Sequence, residues 1–334
     1  MKHIESEIIV YDKLHSDYRE SFSISRMPRT NPERQRLGLL SINEYVLSLA
    51  STRSRQTVQR YLNVIAKNLG ADSIENINFG LFKENIIRGL VSVFSNKYSP
   101  STTKTCLCII RGICKRLKIN DVLTEKEYTL IKEIKFRGGY REPKGRALSK
   151  QEIDEIFKVL DQKHTYRSVR DAAIIAILVM CGLRRAECAA LKMDNLYLNT
   201  EDPYFKFVGK GNKERTCFIP KKALVRLNAW LELRDYDTGF LFTRVLASGE
   251  ILDLGLSGQA IYNVVRDAGH DAHITNWTPH DLRRTFATEL LSLNVDVVTV
   301  KDMMGHSNVN TTSMYDRRGK DRMKKAAQIL DGAI

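Results

Sequence analysis

The stretch Lys135-Phe-Arg-Gly-Gly-Tyr-Arg-Glu-Pro-Lys-Gly-Arg-Ala-Leu-Ser-Lys150 decides how this chain divides. It holds three glycines and one proline and has no apolar period, the composition of a linker rather than of a helix or strand. Ser149 then opens Ser-Lys-Gln-Glu152, a capping-box pattern ahead of Ile153, Ile156 and Leu160, so a fresh helix starts there. The pattern predicts a linker over 136–148 with a boundary near Gly145. Two domains also suit a chain of 334 residues, because a single core stops growing at roughly 250–300.

Upstream of the linker the chain reads as a helical bundle over 33–135. Residues 1–32 show no sustained period and end in Arg29-Thr-Asn-Pro32, which reads as an irregular extension. The turn to helix is expected from Leu39. Val58, Tyr61, Ile65 and Leu69 then recur at helical spacing, with Gly70 where a C-terminal cap would stand, and Phe82 to Phe94 repeats the pattern. After Pro100-Ser101, Leu107, Ile110, Cys114 and Leu117 form one helical stripe, and Lys104, Arg111, Lys115 and Lys118 form another. One face packs and the other is cationic.

The net charge of +14 is uneven. Residues 51–150 carry 20 Lys/Arg against 8 Asp/Glu, whereas 151–334 carry 26 against 24. The electrostatic footprint therefore sits in the first half and implies a polyanionic partner, nucleic acid being the commonest. Lys104, Arg111, Lys115 and Lys118 are the candidate DNA-backbone contacts. A well-solvated surface would show the same pattern.

Downstream, helices are expected at 149–161, 168–180, 220–233, 257–269, 280–293 and 320–330. Strand-like segments fall at 204–208 and 215–219. Phe205 and Phe207, and then Cys217 and Ile219, alternate with polar neighbours around the turn material Gly209-Lys-Gly-Asn-Lys-Glu, which reads as a β-hairpin. The expected class is thus mainly α: a helical domain, then a mixed α+β domain over 149–334 with a small antiparallel sheet.

No apolar run approaches the roughly 20 residues needed to cross a bilayer, and the first thirty residues lack a signal-peptide core, so a cytoplasmic protein without a membrane partner is expected. The six cysteines show no C-x-x-C spacing and read as buried reduced thiols. Neither an acidic metal cluster nor a nucleotide-type glycine loop is visible. No metal and no ATP are expected as cofactors.

Four motifs carry the chemistry: Cys181-Gly-Leu-Arg-Arg-Ala-Glu187, Gly209-Lys-Gly-Asn-Lys-Glu-Arg215, Pro279-His-Asp-Leu-Arg-Arg284, and Gly305-His306 followed by Tyr315. A phosphodiester transferred without metal needs a nucleophile, an acid for the leaving oxygen, and fixed cations around the non-bridging oxygens. Arginine suits the last role because its planar fork stays protonated and binds two oxygens at once. Glu187, three residues after Arg184, can hold that guanidinium in place. His280 and Arg283, also three apart, share one face of a helix starting at Pro279. Arg185 and Arg284, the second of each arginine pair, are expected to point away.

In this order the motifs resemble the tyrosine recombinase (phage integrase) family, with its Xer- and lambda-integrase-like members, over about Gly145 to Arg318. The resemblance implies a core-binding helical domain with a SAM-like fold before a catalytic domain. It further implies Arg184, His280, Arg283 and His306 around one phosphate, Lys210 as general acid and Tyr315 as nucleophile; Lys213, in the same turn, is a candidate backbone contact. The activity implied is site-specific recombination through a 3′-phosphotyrosine, with duplex DNA sites as partners and four protomers on two sites. Residues 319–330, within a C-terminal segment 319–334, would dock on a neighbouring subunit, and an accessory directionality factor is a further partner. Two other readings remain: a type IB topoisomerase, and a DNA-binding regulator that keeps the fold without the reaction.

Overall fold

Asn31 caps the first helix. In the computed structural model its Oδ1 accepts the backbone N–H of Glu33 at 2.9 Å, and Pro32 takes the first helical position. Helix α1 therefore spans Pro32–Leu47 rather than starting at Leu39. Its first turn is polar, so apolar periodicity is silent there, while Asn31-Pro32 is itself the start signal. The structure describes residues 31–136, 138–139, 145–208, 214–234, 237–275, 277–306, 308–316 and 328. The rest of the expected N-terminal extension, and part of the expected linker, lie outside these.

The chain divides into two units, Met1–Glu142 and Pro143–Ile334. The first continues with α2 (Thr52–Asn68), α3 (Glu84–Lys97), α4 (Pro100–Ile119) and α5 (Glu125–Glu133). Two short 3-10 turns between α2 and α3 stack Phe79 on Phe82 with ring centroids 5.7 Å apart. Leu62, Ile65, Ile87, Phe94, Ile110 and Ile113 fill the core around them. Leu107, Ile110, Cys114 and Leu117 of α4 are all buried, as their stripe predicts. Five of the six cysteines are buried free thiols, but Cys108 is exposed. It sits one turn after Lys104 and two before Lys115, on the cationic stripe.

In the second unit Ser149 and Glu152 form the predicted capping box at the start of α6 (Lys150–Gln162). The next helix, α7 (Tyr166–Met180), has every residue from Ala172 to Leu178 buried. A helix apolar on all sides belongs inside a domain, and the rest of the unit packs around this one. There follow the short α8 (Arg185–Ala190), the strands β1 (Leu196–Tyr197), β2 (Tyr204–Val208) and β3 (Glu214–Phe218), and α9 (Lys221–Leu233). The three strands form one antiparallel sheet in the order β1-β2-β3, with Phe205 opposite Cys217 and Phe207 opposite Arg215. β4 (Thr243–Val245) and β5 (Ile251–Gly255) make a separate hairpin, hidden from a period-two reading because β4 has three residues and β5 does not alternate between buried and exposed positions.

Three helices then carry the chain to the site: α10 (Gly258–Asp271), α11 (Pro279–Ser292) and α12 (Val297–Met304). The last follows Asp296, whose carboxylate caps the N–H groups of Val298 and Thr299. A single-turn α13 (Val309–Ser313) leads to Tyr315. Phe286, Ala287, Leu291, Val300, Met304 and Tyr315 form a separate small core between α11 and α12. The predicted helix 320–330 lies outside the described residues apart from Gln328. No described helix is long and apolar enough to cross a membrane.

Candidate active site

Arg184 is the N-cap residue of α8, with Glu187 at its third position. The Glu187 carboxylate accepts the Arg184 backbone N–H at 2.8 Å and the Arg184 guanidinium at 2.6 Å, so one acidic side chain fixes both the helix end and the cation. The other terminal nitrogen of Arg184 donates to the Gly305 carbonyl at 2.8 Å. With about a third of its side chain exposed, Arg184 stays open to a ligand. Across the sheet, Arg215 donates to the same carboxylate at 3.0 Å and stacks on the Phe207 ring, 4.8 Å from its centroid. Its Nε and Nη1 are buried with no hydrogen-bond partner.

Pro279 and the Thr278–Asp281 capping box begin α11 and present His280 and Arg283 one turn apart. Arg283 is buried and donates to the carbonyls of Gly182 and Met304, which ties the segment before α8 to the end of α12. That end is Gly305, a left-handed cap at φ 62° and ψ 46°. The left-handed backbone favours glycine there, and a Cβ would lie 2.6 Å from Arg215 Nη1 and push that guanidinium aside. The next residue, His306, places Nδ1 2.9 Å from the hydroxyl of the fully buried Thr312, which leaves Nε2 for a ligand.

Tyr315 is buried in the small core, its ring 6.4 Å from that of His306 and its hydroxyl 3.5 Å from His280 Nε2. Arg284 does not point away as expected. It is buried, with its guanidinium 5.3 Å from the centroid of the Tyr315 ring and its Nε 3.7 Å from Asp281. The reason is rotational: residue 284 lies 100° around α11 from residue 283, on the side where the chain returns with Tyr315. Arg185 does leave the site, stacking 5.7 Å from the ring of Tyr262 on α10.

So many cations in a partly enclosed space tune one another. Burial, then the neighbouring Arg184, lowers the Arg283 guanidinium to about 10. Burial followed by Arg283 and Arg184 takes His306 down to about 4, and burial with Arg284 and Arg283 also lowers His280. Both imidazoles are neutral at physiological pH. Burial alone would raise Glu187; the Arg184 backbone N–H and the Arg215 and Arg184 charges outweigh it and bring the carboxyl below its ordinary value. The cluster is a concentration of positive charge with two internal carboxylates, Glu187 and Asp281, fewer than its four arginines, the electrostatics of an anion site.

Arg184, His280, Arg283, His306 and Tyr315 thus meet, carried by four separate segments. Lys210 and Lys213, expected at the hairpin tip, lie outside the described residues. In the first unit Lys104 and Lys115 of α4 are exposed, whereas Arg111 donates to the Ile134 carbonyl and Lys118 pairs with Glu125 at 2.9 Å. Sequence reading missed Arg215, Arg284 and Thr312. For Arg215 a signal existed, since strand alternation places it opposite Phe207 on the buried face. Among the described residues no group of three or more His, Cys, Asp or Glu side chains could hold a metal ion.

A mostly helical domain with a three-stranded sheet, gathering two arginines, two histidines and a tyrosine, defines the integrase-type catalytic domain as its class. The chain belongs to the phage integrase family, which it matches over residues 146–322. It is 28% identical over 193 residues to tyrosine recombinase XerA of Pyrococcus furiosus, 57% of this chain and 64% of that one, and so spans a little under two thirds of that relative. To tyrosine recombinase XerC of Pseudomonas fluorescens it is 30% identical over 287 residues, 82% of this chain and 90% of that one. In fold it is similar to the XerH site-specific recombinase bound to a palindromic difH substrate in a post-cleavage complex. The TM-score is 0.64 at 20% identity, over 91% of this chain and 98% of that one.

Proposed function

We propose that this chain is a site-specific DNA recombinase that breaks and rejoins duplex DNA through a covalent 3′-phosphotyrosine. The observation that carries this is the convergence on Tyr315 of His280, Arg283 and His306, with Arg184 bonded to the turn that bears His306. Arg184 and His306 Nε2 hold the non-bridging oxygens, and Arg283 supplies buried charge beside them. Neutral His280 accepts the phenolic proton as Tyr315 oxygen bonds to phosphorus. The 5′ oxygen leaves with a proton from Lys210. In the second half, a 5′ hydroxyl from the partner strand gives its proton to Lys210 as its oxygen bonds to phosphorus, and the Tyr315 oxygen leaves with the proton that His280 had taken.

On this reading no metal or ATP takes part, because the phosphotyrosine bond stores the energy. The helical domain 33–135 and the catalytic domain 149–334 grip duplex DNA together. Four protomers act on two sites, residues 319–334 contact a neighbour, and an accessory factor sets direction. The site of action is the nucleoid, in the cytoplasm.

A nicked suicide duplex in EDTA without nucleotide tests the reading. A covalent adduct, with strands joined between two sites, is the expected outcome. Relaxation of a supercoiled plasmid in a parallel assay, without joining between sites, would make the protein a topoisomerase, and binding alone would make it a regulator.

A further inference from the structure

Arg284 has no part in the reaction just described, yet its position is costly to maintain. Its guanidinium lies over the Tyr315 ring with about nine-tenths of the side chain buried and Nε without a hydrogen-bond partner. A charge in that setting depends on the neighbours it has: the face of the Tyr315 ring and the Asp281 carboxylate, 3.7 Å away. Asp281 is itself buried and has two tasks. One oxygen accepts the backbone N–H and the hydroxyl of Thr278, at 2.9 and 2.8 Å, and starts α11. The other faces Arg284 and accepts the backbone N–H of Arg146 at 3.1 Å.

Arg146 belongs to the segment leading from the domain boundary into α6. Its neighbour Gly145 has φ 118°, and a Cβ there would stand 2.3 Å from the same Asp281 oxygen and 3.4 Å from Arg284 Nη2. Two residues on, the Leu148 N–H donates to Thr285 on α11 at 2.8 Å. A continuous set of contacts therefore runs from the 145–148 segment through Asp281 and Arg284 to the ring of Tyr315.

We propose that Arg284 is the positioning residue for Tyr315, and that the Gly145–Arg146 segment, seated on Asp281, sets the position of the tyrosine through it. The inference rests on Tyr315 as nucleophile only for its effect on rate; the geometric coupling stands apart from it. A segment drawn off Asp281 would take away the Arg146 N–H that holds the carboxylate oxygen facing Arg284, leaving that oxygen free to turn from the guanidinium and the guanidinium free to leave the ring. Tyr315 would then lose the cation that fixes its tilt, and misplacement of a nucleophile by about an ångström costs roughly a hundredfold in rate.

Three variants, Arg284→Met, Arg284→Lys and Gly145→Ala, test this by two readouts on the full chain. The first is nitration of Tyr315 by tetranitromethane, followed by mass spectrometry, which needs no activity. Nitration is expected to be several-fold faster in Arg284→Met and Gly145→Ala than in the parent, with Arg284→Lys between. The second is adduct formation on the suicide duplex. The methionine variant should be roughly ten- to a hundredfold slower at unchanged DNA affinity and the lysine variant partly restored. Unchanged nitration in Arg284→Lys and Gly145→Ala overturns the proposal even if the methionine variant does not fold. Faster nitration in a protein that forms no adduct on any substrate would uphold the coupling and count against the recombinase reading instead.

Discussion

On α4 of the first unit Lys104 and Lys115 stand exposed, whereas in the second unit Arg215, Arg283 and Arg284 are almost wholly enclosed and Arg184 is about two-thirds enclosed. Most of the net charge of +14 falls in residues 51–150; residues 151–334, close to neutral, hold the buried cations. Net charge therefore locates affinity for a polyanion, not the place where a phosphate would be activated. An exposed lysine acts through screened, long-range attraction. An enclosed guanidinium acts at short range in low dielectric, and is tolerable there only because Glu187, Asp281 and the carbonyls of Gly182, Met304 and Gly305 surround it.

Substitutions in the two regions should accordingly fail in different ways. Arg283→Met is expected to have the largest effect, a loss of about 10²–10³ in the rate of adduct formation at saturating DNA, read in single-turnover gels. Glu187→Ala follows. It strands two guanidinium groups and unseats the cap of α8, and should lower unfolding stability by about 3–5 kcal/mol in urea titrations. Because folding depresses the Glu187 carboxyl, that contribution is present above its unfolded value of 4.5 and fades as the pH falls through the folded one. The alanine variant should therefore show a flatter acid limb than the parent. A rate loss from Arg283→Met explained wholly by weaker DNA binding would erase the distinction between the units.

The double variant Lys104→Glu/Lys115→Glu should do the opposite. Its maximal cleavage rate should match the parent, while affinity drops and the slope of log K against log salt becomes shallower by roughly two. The smallest effect concerns pH. His306 folds with its ring at about 4 against 6.5 unfolded, so stability is undiminished above pH 6.5 and declines as pH falls toward 4. His306→Asn should remove that decline. In the DNA complex a phosphate beside the ring should raise its titration, a shift that NMR of the labelled imidazole would register.

The two units also differ in how much of them the sequence discloses. The α4 stripes, the capping boxes and the β2–β3 hairpin are local patterns, and each is legible because caps and periods act over a few residues. The start of α1 was hidden by a polar first turn, β4 by its three-residue length and β5 by its lack of alternation. At the site, Arg184 with Glu187 and His280 with Arg283 follow from helical spacing. Arg284 could not be read this way, since its partner Tyr315 returns from 31 residues further along the chain. Thr312 is similarly hidden, being defined only by the fold of α13 against His306.

On the proposed mechanism one tyrosine, enclosed among these cations, is the group that attacks DNA. The most direct measurement is peptide mapping of the protein after trapping on a nicked suicide duplex and nuclease digestion. A single nucleotide-bearing peptide is expected, with the modification on Tyr315, and none from Tyr315→Phe, which should still bind the duplex with parental affinity. A modification on another residue, or an adduct that persists in Tyr315→Phe, would contradict it.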